Sequence, residues 1–189
     1  QFGHEAIAAQ TIIDRLVPLA YGVIFALSGS VGPILAQNLG ARKFDRVRST
    51  LRDATLSALV YCLIVWLLLA VFSNTIPQVF GASDMTGRYV SFFCAVGAAA
   101  WVFNSLLFVA NATFNNLGFA LYSTLFNWGR ATLGTVPFAY AGAQWAGYEG
   151  ALLAIVLGWA LFGISSIVVA FRAIARLEAK ARAGVPPTI

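Results

Sequence analysis

Charged residues divide this chain into long uncharged intervals. No charge occurs between Arg15 and Arg42, between Asp53 and Asp84, or between Glu149 and Arg172, and the stretch from Tyr89 to Trp128 is wholly uncharged. Within these intervals apolar residues neither alternate with period two nor form one narrow helical stripe. They continue around the whole helix, as in a helix surrounded by lipid. A spanning helix needs about 20 predominantly apolar residues. The intervals predict a first helix over about Ala6 to Leu39, long enough to tilt or kink, with kink sites at Pro18 and Pro33. A second helix is expected from about Val47 to Phe72, followed by a turn-rich loop, SNTIPQVFGASDMTG. The interval from Tyr89 to Trp128 is too long for one span and must break, best at Asn115-Asn116-Leu117-Gly118. That gives a third helix at about Arg88 to Phe114 and a fourth at about Phe119 to Tyr140. AGAQWAGYEG reads as a second loop, and a fifth helix is expected from about Gly150 to Arg172.

The pattern therefore predicts an all-α polytopic membrane protein with five transmembrane helices. Residues 1–175 form the bundle and residues 176–189 a basic tail. Composition agrees: 60% of residues are hydrophobic and 10% charged, with mean hydropathy +0.81. Soluble domains are about 25% charged, so much of this surface must face lipid. The net charge of +5 does not point to nucleic acid, because the cations sit beside apolar runs. Arg42, Lys43, Arg46, Arg48 and Arg52 follow the first helix, and Arg172, Arg176, Lys180 and Arg182 follow the fifth. If the first cluster is cytoplasmic, alternation of spans puts the second on the same side, and nine of the twelve cations then face the cytoplasm. The N-terminal end is then external. The chain opens on Gln1 and carries no signal-peptide pattern, so it is read as a fragment lacking an upstream part.

Ionisable residues inside a membrane are costly, which makes them the first functional candidates. Arg130 lies within the fourth helix with no acid in that helix. It suits a substrate cavity, or a structural ion pair or carbonyl clamp. Asp14 is the one carboxylate placed within a span and the candidate for proton or cation coupling; an interfacial, water-reached Asp is the alternative. Asn104 and Asn111 are seven residues apart on one face of the third helix, and Asn127 precedes Arg130 by three. These amides suit ligand binding or links between helices. Most of the five tryptophans sit away from the predicted interfaces and suit packing or an aromatic cavity wall. Cys62 and Cys94 lie in mid-span without metal-site spacing. There is no nucleophile–base pair, H-E-x-x-H, P-loop or dinucleotide fingerprint, so neither an enzyme nor a bound cofactor or metal is expected.

The run SGSVGPILAQNLGARKFDRVRSTL closely resembles the loop after the second helix of each lobe in the multidrug and toxic compound extrusion (MATE) family. VANATFNNLGFALYSTLFNWGRATLGTVPFAY and EGALLAIVLGWALFGISSIVVAFR resemble its late helices. The resemblance implies twelve helices in two six-helix lobes, of which this chain is helices eight to twelve, most of the C-terminal lobe. It implies a secondary exporter of the bacterial inner membrane that moves cationic or aromatic compounds against sodium or protons by alternating access, with the N-terminal lobe supplied by the same protein. Several family members place a coupling acid in the tenth helix. Arg88 to Phe114 contains no Asp or Glu, which puts such a site in this lobe in doubt. A flippase for lipid-linked saccharides from the wider superfamily and a non-transporting membrane scaffold subunit are the alternative readings.

Overall fold

In a computed structural model, which describes residues 3–82 and 84–183, the chain is a bundle of helices. They are α1 (Gly3–Gly40), α2 (Phe44–Val71), α3 (Thr75–Val79), α4 (Asp84–Phe92), α5 (Ala99–Asn116), α6 (Ala120–Ala131) and α7 (Val136–Arg182). Gly3–Gly40, Phe44–Val71 and the run Ala120–Arg182 are long and apolar enough to cross a membrane, and α4 and α5, bent by 51° at the break between them, are so when taken together. The run Ala120–Arg182 contains 63 residues. At about 1.5 Å per residue this is about three times the hydrocarbon thickness of a bilayer, so it must fold back on itself.

It reverses at Ala146 and Gly147. Gly147 has φ 60° and ψ −139°, a conformation that glycine adopts without steric cost. Beyond the reversal the chain runs antiparallel to itself. Gly142 lies against Gly150, Gly134 against Gly158, and Gly129 against Phe162. A Cβ at Gly158 would overlap the Gly134 carbonyl oxygen, and one at Gly142 would overlap that of Gly150. Absent side chains are what let these backbones touch. The predicted loop AGAQWAGYEG is thus a tight corner with helix on both sides.

An unpredicted break also interrupts the fourth span, between Ala131 and Val136. Pro137, at the start of α7, has no N–H to give to the Leu133 carbonyl. The gap closes with local bonds, Gly134 N–H to Gly129 O at 2.8 Å and Thr135 Oγ1 to Arg130 O at 2.8 Å. The break forecast at residues 115–118 falls where expected, α5 ending at Asn116 and Gly118 taking φ 83°.

Helix α5 is central. It packs on α1, α2, α6 and α7, and buries residues around most of its circumference. Against it α2 sets Ala54, Ala58 and Cys62, a small-residue face at i, i+4, i+8. Its other side presents Leu56, Val60, Leu63 and Leu67, all exposed, as a lipid-facing wall requires. Between α4 and α5, Phe93–Gly97 form one π turn, with Ala98 N–H bonded to Phe93 O at 2.7 Å. Such a turn misaligns neighbouring carbonyls, and here Trp66 Nε1 donates to Ala95 O at 3.1 Å. Helix α1 continues through Pro18 and Pro33 without ending.

The two ends of the bundle are closed differently. Helix α1 finishes in a Schellman motif, Lys43 N–H to Asn38 O and Arg42 N–H to Leu39 O, both 2.9 Å. Arg42, not Gly40, takes the left-handed position, at φ 54°. Next to it α7 continues past the predicted span as helix to Arg182, and its buried Glu178 pairs with Arg48 of α2 and, at 2.5 Å, with Arg182. Of the predicted basic tail, residues 184–189 lie outside the described residues. At the opposite end the expected loop after α2 contains α3 and the start of α4. There Arg88 bonds Glu149 at 2.8 Å, and the Tyr89 and Tyr148 rings lie 4.2 Å apart. Burial, and then the neighbouring Tyr89, pushes the Tyr148 phenol up to about 12.

Candidate functional site

Three of the five candidate residues take part in a polar seam made of two separate groups, one between α1 and α5 and one between α5 and α6, with Arg130 one turn past Asn127 on α6. Asn104, buried in α5, donates from Nδ2 to the Tyr21 hydroxyl of α1 at 2.9 Å. Asn111 accepts from Ser123 Oγ of α6 at 3.1 Å, and Asn127 Nδ2 donates to the Ser123 carbonyl at 2.9 Å. Asn104 and Asn111 therefore leave the same helix toward different neighbours. An amide in a bilayer must find a partner, and in this bundle the partners are tyrosine and serine hydroxyls and a backbone carbonyl.

Arg130 does not sit in the middle of a helix as the uninterrupted span implied. The break before Pro137 puts it in the last turn of α6, where the partial negative charge of the helix end favours a cation. Its guanidinium lies over the Trp159 ring, 4.5 Å from the centroid. Trp159 is held in place by its Nε1 donating to Thr135 Oγ1 at 3.0 Å. Arg130 Nε is buried with no hydrogen-bond partner, and no ion pair among the described residues involves Arg130. An aromatic face thus carries a cation that keeps a free donor.

Asp14 is separate. It is exposed on α1, and Gln10 Nε2 of the same helix donates to it at 2.8 Å. The shallow groove beside it is lined by residues of α1, His4, Ile7 and Gln10 among them. Tyr21, Ser123 and Thr135 completed the seam without being singled out in the sequence. Residues of these types are common in membrane helices, and only the folded neighbours mark these three. Glu178 was missed because four cations surround it in sequence.

A helical bundle with an apolar exterior and polar side chains bonded across its interior defines a polytopic membrane protein. The family model for MatE matches residues 1–141. The chain belongs to the MATE family, whose members are transporters and not enzymes. A Shewanella oneidensis protein named FAD transporter is 28% identical over 169 residues, covering 89% of this chain and 37% of that protein. An uncharacterized 21 kDa protein of the iaaL 5′ region in Pseudomonas savastanoi is 30% identical over 157 residues, covering 83% and 52%. The Vibrio cholerae MATE transporter VcmN in its bent form shares the fold with a TM-score of 0.89 at 19% identity, over 94% of this chain and 41% of that one. An inward-facing multidrug resistance MATE transporter of the MOP superfamily matches with a TM-score of 0.81 at 17% identity, over 87% and 39%. The chain thus spans between 37% and 52% of the curated relatives it matches.

Proposed function

We propose that the chain is most of the C-terminal lobe of a two-lobe secondary exporter. It works by alternating access in a bacterial inner membrane, with the basic loop 40–52 and the C-terminus cytoplasmic and the N-terminal end external. Nine cations on one side support that sidedness. In this reading residues 1–175 belong to the bundle, and 176–189 form the basic cytoplasmic tail. Cationic or aromatic compounds leave the cell, and sodium ions or protons enter.

The observation that carries the reading is Arg130 over Trp159, with its Nε buried and unbonded. An unpaired cation inside a membrane protein is expensive and is retained where a ligand or a facing lobe completes it. Trp159 offers a ring face for aromatic cargo, and Asn104, Asn111 and Asn127 are the candidate polar contacts. A cationic cargo would need its counter-charge from the rest of the transporter, because this lobe brings a positive charge to the seam. The same fact favours a second reading, in which the cargo is aromatic and anionic. The relative named FAD transporter is in keeping with it.

Asp14 is the coupling candidate, since residues 88–114 contain no acid. The test is dye efflux from cells carrying the full-length gene. Arg130→Ala should reduce efflux at least about tenfold, the equivalent of roughly 1.4 kcal/mol, and Asp14→Asn should abolish dependence on the ion gradient. Wild-type efflux by both variants would remove these residues from the mechanism. Absence of efflux by the unmodified protein would remove the exporter reading itself.

A further inference from the structure

Between α6 and the second limb of α7 lies a cavity of about 460 Å³, within the size range of ligand pockets. Phe119, just before α6, and Tyr122 and Phe126 of α6 line it on one side, Phe162 lines it from α7, and the exposed Arg172 and Arg176 complete its lining. Phe119 caps α6, and Tyr122 and Phe126, at i and i+4, share one face of it. Their rings are held by packing: Phe119 stacks on Tyr122 at 5.6 Å, and Phe126 on Phe114 at 5.7 Å. The two arginines are one turn apart, both exposed, and no ion pair among the described residues involves either. Glu178, the nearest acid on their helix, is already taken by Arg48 and Arg182.

The pocket has an aromatic, apolar body and an unneutralised cationic rim at the end of the bundle where the basic residues gather. Its chemical complement is a molecule with an apolar tail and an anionic head. Guanidinium groups bind phosphate oxygens in pairs, and basic pockets between membrane helices hold phosphate headgroups. A zwitterionic headgroup would bring a cation up to the two arginines. We infer that this groove binds an anionic phospholipid, with an acyl chain against the α6 aromatics and the phosphate on Arg172 and Arg176. The inference requires the membrane placement of the bundle but not the direction or cargo of transport.

The experiment uses the full-length transporter in detergent, titrated with phosphatidylglycerol and followed by native mass spectrometry. Saturable binding is expected. Phosphatidylcholine and inorganic phosphate should not reproduce it. The double variant Arg172→Gln/Arg176→Gln should bind roughly thirtyfold more weakly, each surface charge counting for about fivefold, and Arg172→Lys/Arg176→Lys, which keeps both charges but loses the paired donors, should fall between it and the unmodified protein. A photoreactive residue at Leu125, which also lines the groove, should label lipid. Undiminished binding by the glutamine variant, or equal binding of phosphatidylcholine or free phosphate, overturns the inference. So does cross-linking of position 125 to another segment of the polypeptide or to a second copy, which would make the groove a helix-packing surface.

Discussion

Replacing Gly158 with alanine adds a single methyl group, yet it should be among the more damaging substitutions in the bundle. The new Cβ would overlap the Gly134 carbonyl oxygen, a backbone atom with no rotamer to change. The second limb of α7 would have to move away from the chain after α6. That limb is held on both sides, since Gly163, further along it, lies against the Phe103 backbone of α5. Overpacking of a tight interior costs about 1–3 kcal/mol. Alanine recovers up to about 1 kcal/mol through its better helix propensity, leaving a net loss of up to about 2 kcal/mol. For a unit of this size that corresponds to a fall in Tm of up to roughly 8 °C. The matched control is Gly29→Ala on α1, where a Cβ meets nothing within 4 Å. It receives the propensity gain alone and should raise Tm slightly. Thermal unfolding of the purified full-length transporter in detergent reads both. An unchanged Tm for Gly158→Ala, or equal shifts in the two variants, would refute the close-approach reasoning.

Three further outcomes are expected. Glu178→Gln keeps the shape of the buried side chain but loses its charge. Because Arg48 and Arg182 are 43% and 80% exposed, water takes over much of their solvation, and the loss should be about 1–2 kcal/mol in the same unfolding assay; no loss would mean the clamp adds nothing. Arg42→Gly removes a left-handed arginine from the end of α1 and should stabilise by about 1 kcal/mol; a lower Tm would show that the arginine charge matters more than the backbone. Tyr21→Phe deprives the buried Asn104 Nδ2 of its acceptor and should cost about 1–3 kcal/mol, whereas Asn104→Leu in the Tyr21→Phe background should recover part of it; failure of that recovery would count against the pair as a structural link.

Much of the architecture can be read from charge alone. The uncharged intervals bound the spans, and Gly118 marks the turn between α5 and α6. The breaks within spans are harder. Gly134 and Pro137 are visible, but elsewhere in the same chain Pro18 and Pro33 sit inside an unbroken helix. Residue type alone does not decide whether a proline interrupts a span; the neighbouring helices do. The reversal at Gly147 was anticipated as a loop because its polar residues look solvated, and its tightness comes from Gly142 meeting Gly150 across the corner. The candidate site was legible as a set of polar residues in apolar surroundings. Its connectivity was not, because Tyr21, Ser123 and Thr135 act through neighbours more than eleven residues away or through backbone carbonyls.

The π turn at Phe93–Gly97 has a consequence for the far end of the third span. One extra residue in a helix turns everything before it by about 100° relative to an uninterrupted helix. Arg88 therefore owes its direction toward Glu149, and Val90 its burial, to a phase offset introduced several residues downstream. Deleting one residue within 93–97 would restore a continuous α-helix, swing Arg88 off its partner and bring Val90 out of the core. The bulge sets the azimuth of α4, and through it the fit between the third span and the hairpin corner at Tyr148 and Glu149.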